Sequence, residues 1–259
     1  MNQNNKLIEL STLPKDLSLQ QFSELHIHKI SNKLFENQTN LQSLQLPTSL
    51  LILNEKIFSH CSNLSYLQIQ SPLQSIGRYC FAYCTSLTSI TLSSSLTYIE
   101  EGIFSNCSSL KSLDLSSLSL TSLPKQTCDQ CIHLSSIQLP SSLITIGEDC
   151  FFNCKSLSSI QLPSTVTSIA SRCFSYCTSL TSIEFPEYVS SLSEYQFIQY
   201  EDHPTTTYCC WTEDFYDVMD NLPDQTNDIS ESNSLTFTIG FGALKKTSIS
   251  CSNLPSWVF

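Results

Sequence analysis

Glycine is scarce in this chain, at 5 of 259 residues. Loops that wrap phosphate groups need several glycines close together, so a nucleotide-binding loop is nearly excluded. Basic residues are also few, with 12 Lys and Arg against 23 Asp and Glu and a formal net charge of −11. A nucleic-acid binder needs a basic patch to displace counterions, and an acidic membrane surface repels such a chain, so neither partner is expected. No stretch approaches the roughly 18 apolar residues of a membrane span. The opening "MNQNNKLIELSTLPKDLSLQ" has no apolar run of signal-peptide length, which predicts a soluble chain, cytoplasmic by sequence.

What the chain has is cysteine, 13 in all, and a great deal of serine and leucine. The stretch "RYCFAYCTSLTSI" (78–90) sets two cysteines four apart around a phenylalanine. Such a pair fits half of a metal site, half of a disulfide framework, or two buried thiols without chemistry.

Spacing along the whole chain bears on that choice. With Phe81 at position zero, the same position recurs at Phe35, Phe58, Phe104, Cys128, Phe151, Phe174 and Phe197. The step is 23 residues except from Phe104 to Cys128, where it is 24. The extra residue falls in "LSSLSLTSL", so Leu113 to Leu123 is expected to bulge without changing register. Three residues after position zero come Cys61, Cys84, Cys107, Cys131, Cys154 and Cys177. Leucine, isoleucine and valine recur at six, nine and eleven after it, and at eight and five before the next.

A repeat of this length predicts a solenoid, because one coil cannot enclose its own apolar side chains and stacked coils can. Apolar positions nine and eleven alternate with polar eight and ten, the period of a strand with one buried face. Proline follows at Pro47, Pro140, Pro163 and Pro186 and turns the chain. A second short extended stretch, such as "SLTYI", then leads into a turn or short helix such as "EEGIFSNC".

The line "LSSIQLPSSLITIGEDCFFNCKSLSSI" (134–160) closely resembles the BspA-like leucine-rich repeat, and the resemblance covers about residues 35–197. The Ser/Thr/Leu-heavy, cysteine-rich style is similar to surface-antigen-like proteins of protists such as Entamoeba or Trichomonas. The resemblance implies an α/β, right-handed leucine-rich-repeat solenoid of 23-residue coils. Its parallel sheet would lie on the concave side, with short helices, turns and extended segments on the others. It further implies a non-enzymatic role in protein recognition or adhesion, and a cell-surface association.

The expected division is a degenerate first repeat or cap over 1–34, where Leu10-x2-Leu13-Pro14-Lys15 echoes Leu120-x2-Leu123-Pro124-Lys125, and a solenoid over 35–197. An acidic, partly disordered segment over 198–234 and a strand-like cap or tail over 235–259 follow. The outward positions eight and ten give the candidate binding face: Gln45, Tyr66, Gln68, Thr91, Asp114, Gln138, Gln161 and Glu184. It is a neutral ladder suited to hydrogen bonding with a protein or glycan ligand, without the aromatic and arginine anchors of a typical hot spot.

Catalytic residues are not expected: none of the five histidines recurs, and no glycine-rich elbow surrounds a serine. No cofactor is implied. Zinc needs two ligand pairs converging on one tetrahedral point, whereas repeat cysteines fall in a row about one strand spacing apart, near 4.8 Å. The favoured reading is buried structural thiols. A rival reading of the whole chain is an intracellular adaptor that presents a bound target through its non-repeat ends.

Overall fold

The computed structural model describes residues 9–12, 18–184, 186, 191–192, 234–241 and 245–252. Parallel strands stack into about seven coils, about 23 residues apart, with very little helix. Each regular coil has three sides. The first carries three-residue strands: β3 (Ser43–Gln45), β5 (Tyr66–Gln68), β8 (Ser112–Asp114), β10 (Ser136–Gln138), β12 (Ser159–Gln161) and β14 (Ser182–Glu184). The second carries two-residue strands: β1 (Glu9–Leu10), β2 (Lys29–Ile30), β4 (Ile52–Leu53), β6 (Ser75–Ile76), β7 (Tyr98–Ile99), β9 (Ser122–Leu123), β11 (Thr145–Ile146), β13 (Ser168–Ile169) and β15 (Ser191–Leu192). The third side is the corner around position zero. Of the two alternatives the sequence left for it, turn or short helix, the coils use turns throughout.

The inward pattern follows the repeat. Phe58, Phe81, Phe104 and Phe151 have no exposed surface, and Phe35 and Phe174 almost none. Their rings stack in two runs, Phe35–Phe58–Phe81–Phe104 at 5.3, 5.6 and 5.6 Å and Phe151–Phe174 at 5.7 Å. Cys128 stands between the runs, where a ring would have joined them. At the first coil Phe22 closes the column edge-on against Phe35 at 5.3 Å. Phe22 comes from α1 (Leu19–Ser23), a single turn started by a reciprocal cap between Ser18 and Gln21.

The corner has an unusual backbone. Among the described residues, fourteen have φ between 53° and 65°, and each lies two before or two after position zero. Only Gly102 among them is glycine; the others include Tyr79, Tyr83, Arg172 and Gln130. This left-handed conformation costs a side-chain-bearing residue roughly 1–2 kcal/mol. In return, it turns alternate amides along the stack. The amides of Lys56, Phe58 and His60 donate to the carbonyls of Arg78, Cys80 and Ala82 one coil on, at 2.8–2.9 Å. The same three bonds repeat from the coil of Phe35 to that of Phe151.

The strand ladders are less continuous. The two-residue strands form one sheet in the order β1-β2-β4-β6-β7 and another in the order β15-β13-β11-β9. The gap between β7 and β9 falls where the extra residue enters. The expected bulge keeps the inward register there, since Leu113, Leu115, Leu118, Leu120 and Leu123 are all buried, but it parts the ladder. The three-residue strands pair as β3-β5, β8-β10 and β12-β14.

Ends differ from the middle. β1 pairs with β2 through Glu9↔Lys29 and Leu10↔Ile30, so the ladder begins within the first 34 residues. β16 (Ser234–Phe241) and β17 (Lys245–Ser252) form an antiparallel hairpin, and β17 lies against β14. Phe197 and most of the acidic stretch 198–234 lie outside the described residues. No helix among the described residues is long and apolar enough to cross a membrane.

Replacing Phe81 by alanine is expected to lower stability by roughly 3–5 kcal/mol in a urea titration, as for other fully buried aromatics. A silent Phe81 would mean that the ring column does not hold the coils together. At the corner, Lys33→Gly should raise stability by about 0.5–1 kcal/mol by relieving a left-handed residue whose side chain is mostly exposed. Gly102→Ala should lower it by about 1 kcal/mol or more, since the new Cβ would stand 2.2 Å from the Tyr79 ring at a φ of 65°.

Candidate functional site

The outward positions of the three-residue strands share one face because alternate residues of a strand point the same way. Parallel register sets Ser43 beside Tyr66, Gln45 beside Gln68, Asp114 beside Gln138, and Gln161 beside Glu184. Gln45, Thr91, Gln138 and Gln161 are exposed, Gln68 is half-buried, and Tyr66 is 57% exposed. Glu184 holds its place in the strand register, and its side chain lies outside what the structure describes.

Two departures from a uniform ladder appear. Residues 89–91 form no strand, so Thr91 keeps its alternation without a paired neighbour on either side. Asp114, the acid in mid-face, is engaged locally. One of its carboxylate oxygens accepts from the Ser116 amide at 2.9 Å and the Ser116 hydroxyl at 2.6 Å. These bonds, the hydroxyl foremost, hold its pKa below the ordinary carboxylate value.

The position-three cysteines form a single repeated contact. Cys61, Cys84, Cys107, Cys131, Cys154 and Cys177 each donate S–H to the position-zero carbonyl of the preceding coil, at 3.1–3.2 Å. That carbonyl also accepts the amide of its own coil's position-three residue, Gln38 in the first coil and a cysteine in the others, so both lone pairs are used. All ten described cysteines are free and buried. Burial pushes the Cys61 thiol up to about 11 and the Cys150 and Cys177 thiols to about 12. A thiol held protonated is a poor nucleophile and a poor metal ligand. Among the described residues no group of three or more His, Cys, Asp or Glu could hold a metal ion.

This corner and the strand pairs beside it recur through one continuous sequence pattern. The BspA type leucine rich repeat region matches residues 15–132 and 121–208, in six copies. The chain belongs to the BspA-type leucine-rich-repeat family. Two solved structures are similar to it. One is a leucine rich cell surface protein of Faecalibacterium prausnitzii A2-165, 25% identical, with a TM-score of 0.54, covering 76% of this chain and 52% of that one. Another is a leucine-rich repeat protein of Bacteroides ovatus ATCC 8483, also 25% identical, with a TM-score of 0.52, covering 71% and 56%. The chain thus spans about half the length of these relatives. No curated protein matches it.

This BspA-type chain uses its serines and threonines in a way the repeat pattern did not reveal. Nine residues before position zero, Ser49, Ser95, Ser142 and Thr165 donate their hydroxyls to backbone carbonyls of the preceding coil, at 2.6–2.9 Å. Ser65, Ser135, Ser156 and Thr181 do the same on the way into the sheet. Hydroxyls at a fixed offset from the phenylalanine were the available signal.

The corner also carries a charge cluster. Lys125 meets Glu148 at 2.9 Å, and Arg172 meets Asp149 at 2.7 Å. Asp149 is buried, and its other oxygen has no hydrogen-bond partner among the described residues. Asp129, which accepts from the Ser105 hydroxyl at 3.2 Å, is pushed up to about 6 by burial and then by the nearby Asp149.

Both kinds of shift predict pH dependence. The folded Cys61, Cys150 and Cys177 thiols hold their protons above the ordinary value of 9.0, so their contribution is complete below 9. It is lost as pH rises from 9 towards 11 and 12, and urea midpoints should fall across that window. The ten described thiols should stay unreactive to a thiol reagent at pH 8 until the chain unfolds. Asp129 is raised from 3.8, so stability falls as pH climbs from about 4 to about 6. Asp129→Asn should therefore stabilise the chain at pH 7 and have little effect at pH 4, measured by thermal melts at the two pH values.

Proposed function

We propose that this chain is a non-enzymatic interaction protein that binds a protein ligand through the outer face of its three-residue strands. One observation carries the reading. In-register pairing lines up Gln45 with Gln68 and Gln138 with Asp114; the three glutamine side chains enter none of the described bonds, while Asp114 is held by Ser116 through one carboxylate oxygen. Glutamines both donate and accept, so such a face suits backbone and amide groups of a partner. The buried, protonated thiols support a binding role over a catalytic one. Family membership agrees, since proteins of this kind are typically non-enzymatic binders. A glycan is the second ligand class the same neutral face would serve.

The likeness to a Faecalibacterium cell surface protein supports a surface setting. Biotinylation of intact cells tests that setting directly. A chain that labels only after lysis would favour the intracellular adaptor instead.

Gln138→Ala should leave folding unchanged within about 0.5 kcal/mol, as for other surface changes. A Tyr66→Ala, Gln68→Ala, Gln138→Arg triple variant should melt like the parent. It should also retain at least about tenfold less partner in quantitative pull-downs, the scale expected when central contacts are lost. Undiminished capture by a folded triple variant would remove the outer face from the reading.

A further inference from the structure

The parted ladder between β7 and β9 leaves backbone groups that every neighbouring coil uses. On one side, the carbonyls of Gln74 and Ile76 accept the amides of Thr97, Tyr98 and Glu100, at 3.0–3.2 Å. On the other, the carbonyls of Thr121 and Leu123 accept Ile144, Thr145 and Gly147, at 2.8–3.2 Å. Between them, β7 and β9 are not paired, and the flanking backbone bonds of the neighbouring coils have no counterpart from residues 121–124 to 97–100. Pro124 stands where Glu100 and Gly147 supply an amide, and a proline has no N–H to give. Two residues further on, the corner bond from Gly102 to Lys125 is intact at 2.9 Å. The coils are thus held together at the corner and open along this side.

A cavity of about 420 Å³ occupies the opening, lined by Tyr98, Ile99, Leu120, Thr121, Ser122 and Pro124. The volume lies within the usual range of about 300–1,000 Å³ for binding pockets. Tyr98 is 57% exposed beside it. Arg78 also lines the cavity and meets Glu100 at 3.6 Å and Glu101 at 3.7 Å, so one guanidinium faces two carboxylates.

We propose that this break is a docking groove for an extended peptide segment that carries a lysine or arginine. The carbonyls of Thr97 and Ile99 lie two residues apart on one strand edge, the spacing at which an added parallel strand donates its alternate amides. The Ser122 amide on the facing edge is the complementary donor. Tyr98 offers an aromatic flank for the peptide's side chains. With one guanidinium shared between two carboxylates, and Glu100 also accepting the Arg78 amide at 3.0 Å, the local charge is net negative and favours a basic residue. A second copy of this chain is a poor occupant, because two molecules each with a formal charge of −11 repel. The groove lies on a different side of the coil from the outer sheet face, so it stands or fails independently of the function proposed above.

The test pans a random heptapeptide display library against the immobilised full chain. Enriched peptides should combine β-branched residues with a lysine or arginine. Synthetic copies methylated at alternate backbone nitrogens should bind at least about tenfold more weakly, the scale of one lost buried hydrogen bond. Ser122→Pro removes the edge donor and spares the β9–β11 backbone bonds, losing only the hydroxyl contact from Thr145 to Ser122 at 2.8 Å, and should weaken binding to a similar degree. Glu101→Lys, a change at a partly exposed side chain, should do so as well and serves if the proline variant fails to fold. Gln138→Arg should have no effect. The proposal is overturned if no peptide enriches, if N-methylation is tolerated, or if binding follows Gln138 instead of Ser122 and Glu101. It is equally overturned if sedimentation shows a dimer of the chain that Ser122→Pro dissolves.

Discussion

Position zero of the repeat is joined to its neighbours in three ways at once, and the stack depends on that junction. The Phe58 amide donates to the Cys80 carbonyl of the next coil at 2.8 Å. Its own carbonyl takes the thiol of Cys84 from that same coil at 3.2 Å. Its ring lies 5.6 Å from the ring of Phe81. Backbone, thiol and aromatic contacts therefore all fix the same translation between coils. Each is modest alone: a net hydrogen bond contributes about 0.5–1.5 kcal/mol and a stacked pair about as much beyond its burial. Their agreement on one geometry is what makes the repeat propagate.

That geometry requires the left-handed residues on either side. Flanking residues with ordinary φ would point their amides elsewhere, and the inter-coil bonds of Lys56 and His60 would be lost. Thirteen of the described side-chain-bearing residues adopt this conformation, although glycine would do so at no steric cost. Their side chains give a reason at several sites. His60 and Tyr83 stack at 4.3 Å, Arg172 holds the buried Asp149, and the Tyr79 hydroxyl bonds Gln126 two coils away at 3.1 Å. Tyr79 reaches that far because Gly102, between them, has no side chain to block its ring. The scarcity of glycine is thus no argument against left-handed backbone.

What could be read in the sequence divides by the range of the interaction. Phe81, Cys84, Leu87 and Ile90 recur at fixed steps, and recurrence inside one chain reports burial directly. The strand period on either side of Leu44 or Ile160 was legible for the same reason. The hydroxyl contacts of Ser49 and Ser142 were not, because serine is so abundant that its columns do not stand out from their surroundings. Asp114 read as a free outward acid, since its bonds to Ser116 depend on how the chain turns after β8. The extra residue before Leu123 was plain in the spacing. Its consequence for the ladder was not, because losing it also required Pro124 to withhold an amide.

The irregular coil bears on how a repeat protein acquires a specific surface at all. In a perfect stack every backbone donor and acceptor along the sides is used by the next coil, and only side chains remain for a partner. Here one inserted residue, Pro124 and Cys128 fall close together in a single coil, where the aromatic column and one ladder are both interrupted. The corner bonds from Gly102, Phe104 and Asn106 to Lys125, Thr127 and Asp129 carry the stack across, at 2.7–3.0 Å. Because stability in a solenoid is a sum of neighbour terms, the loss stays local and the coils on both sides remain ordered. A fold held by one strong junction per coil tolerates such an interruption on another side. That side then offers uncommitted backbone groups at one place along an otherwise repeating surface.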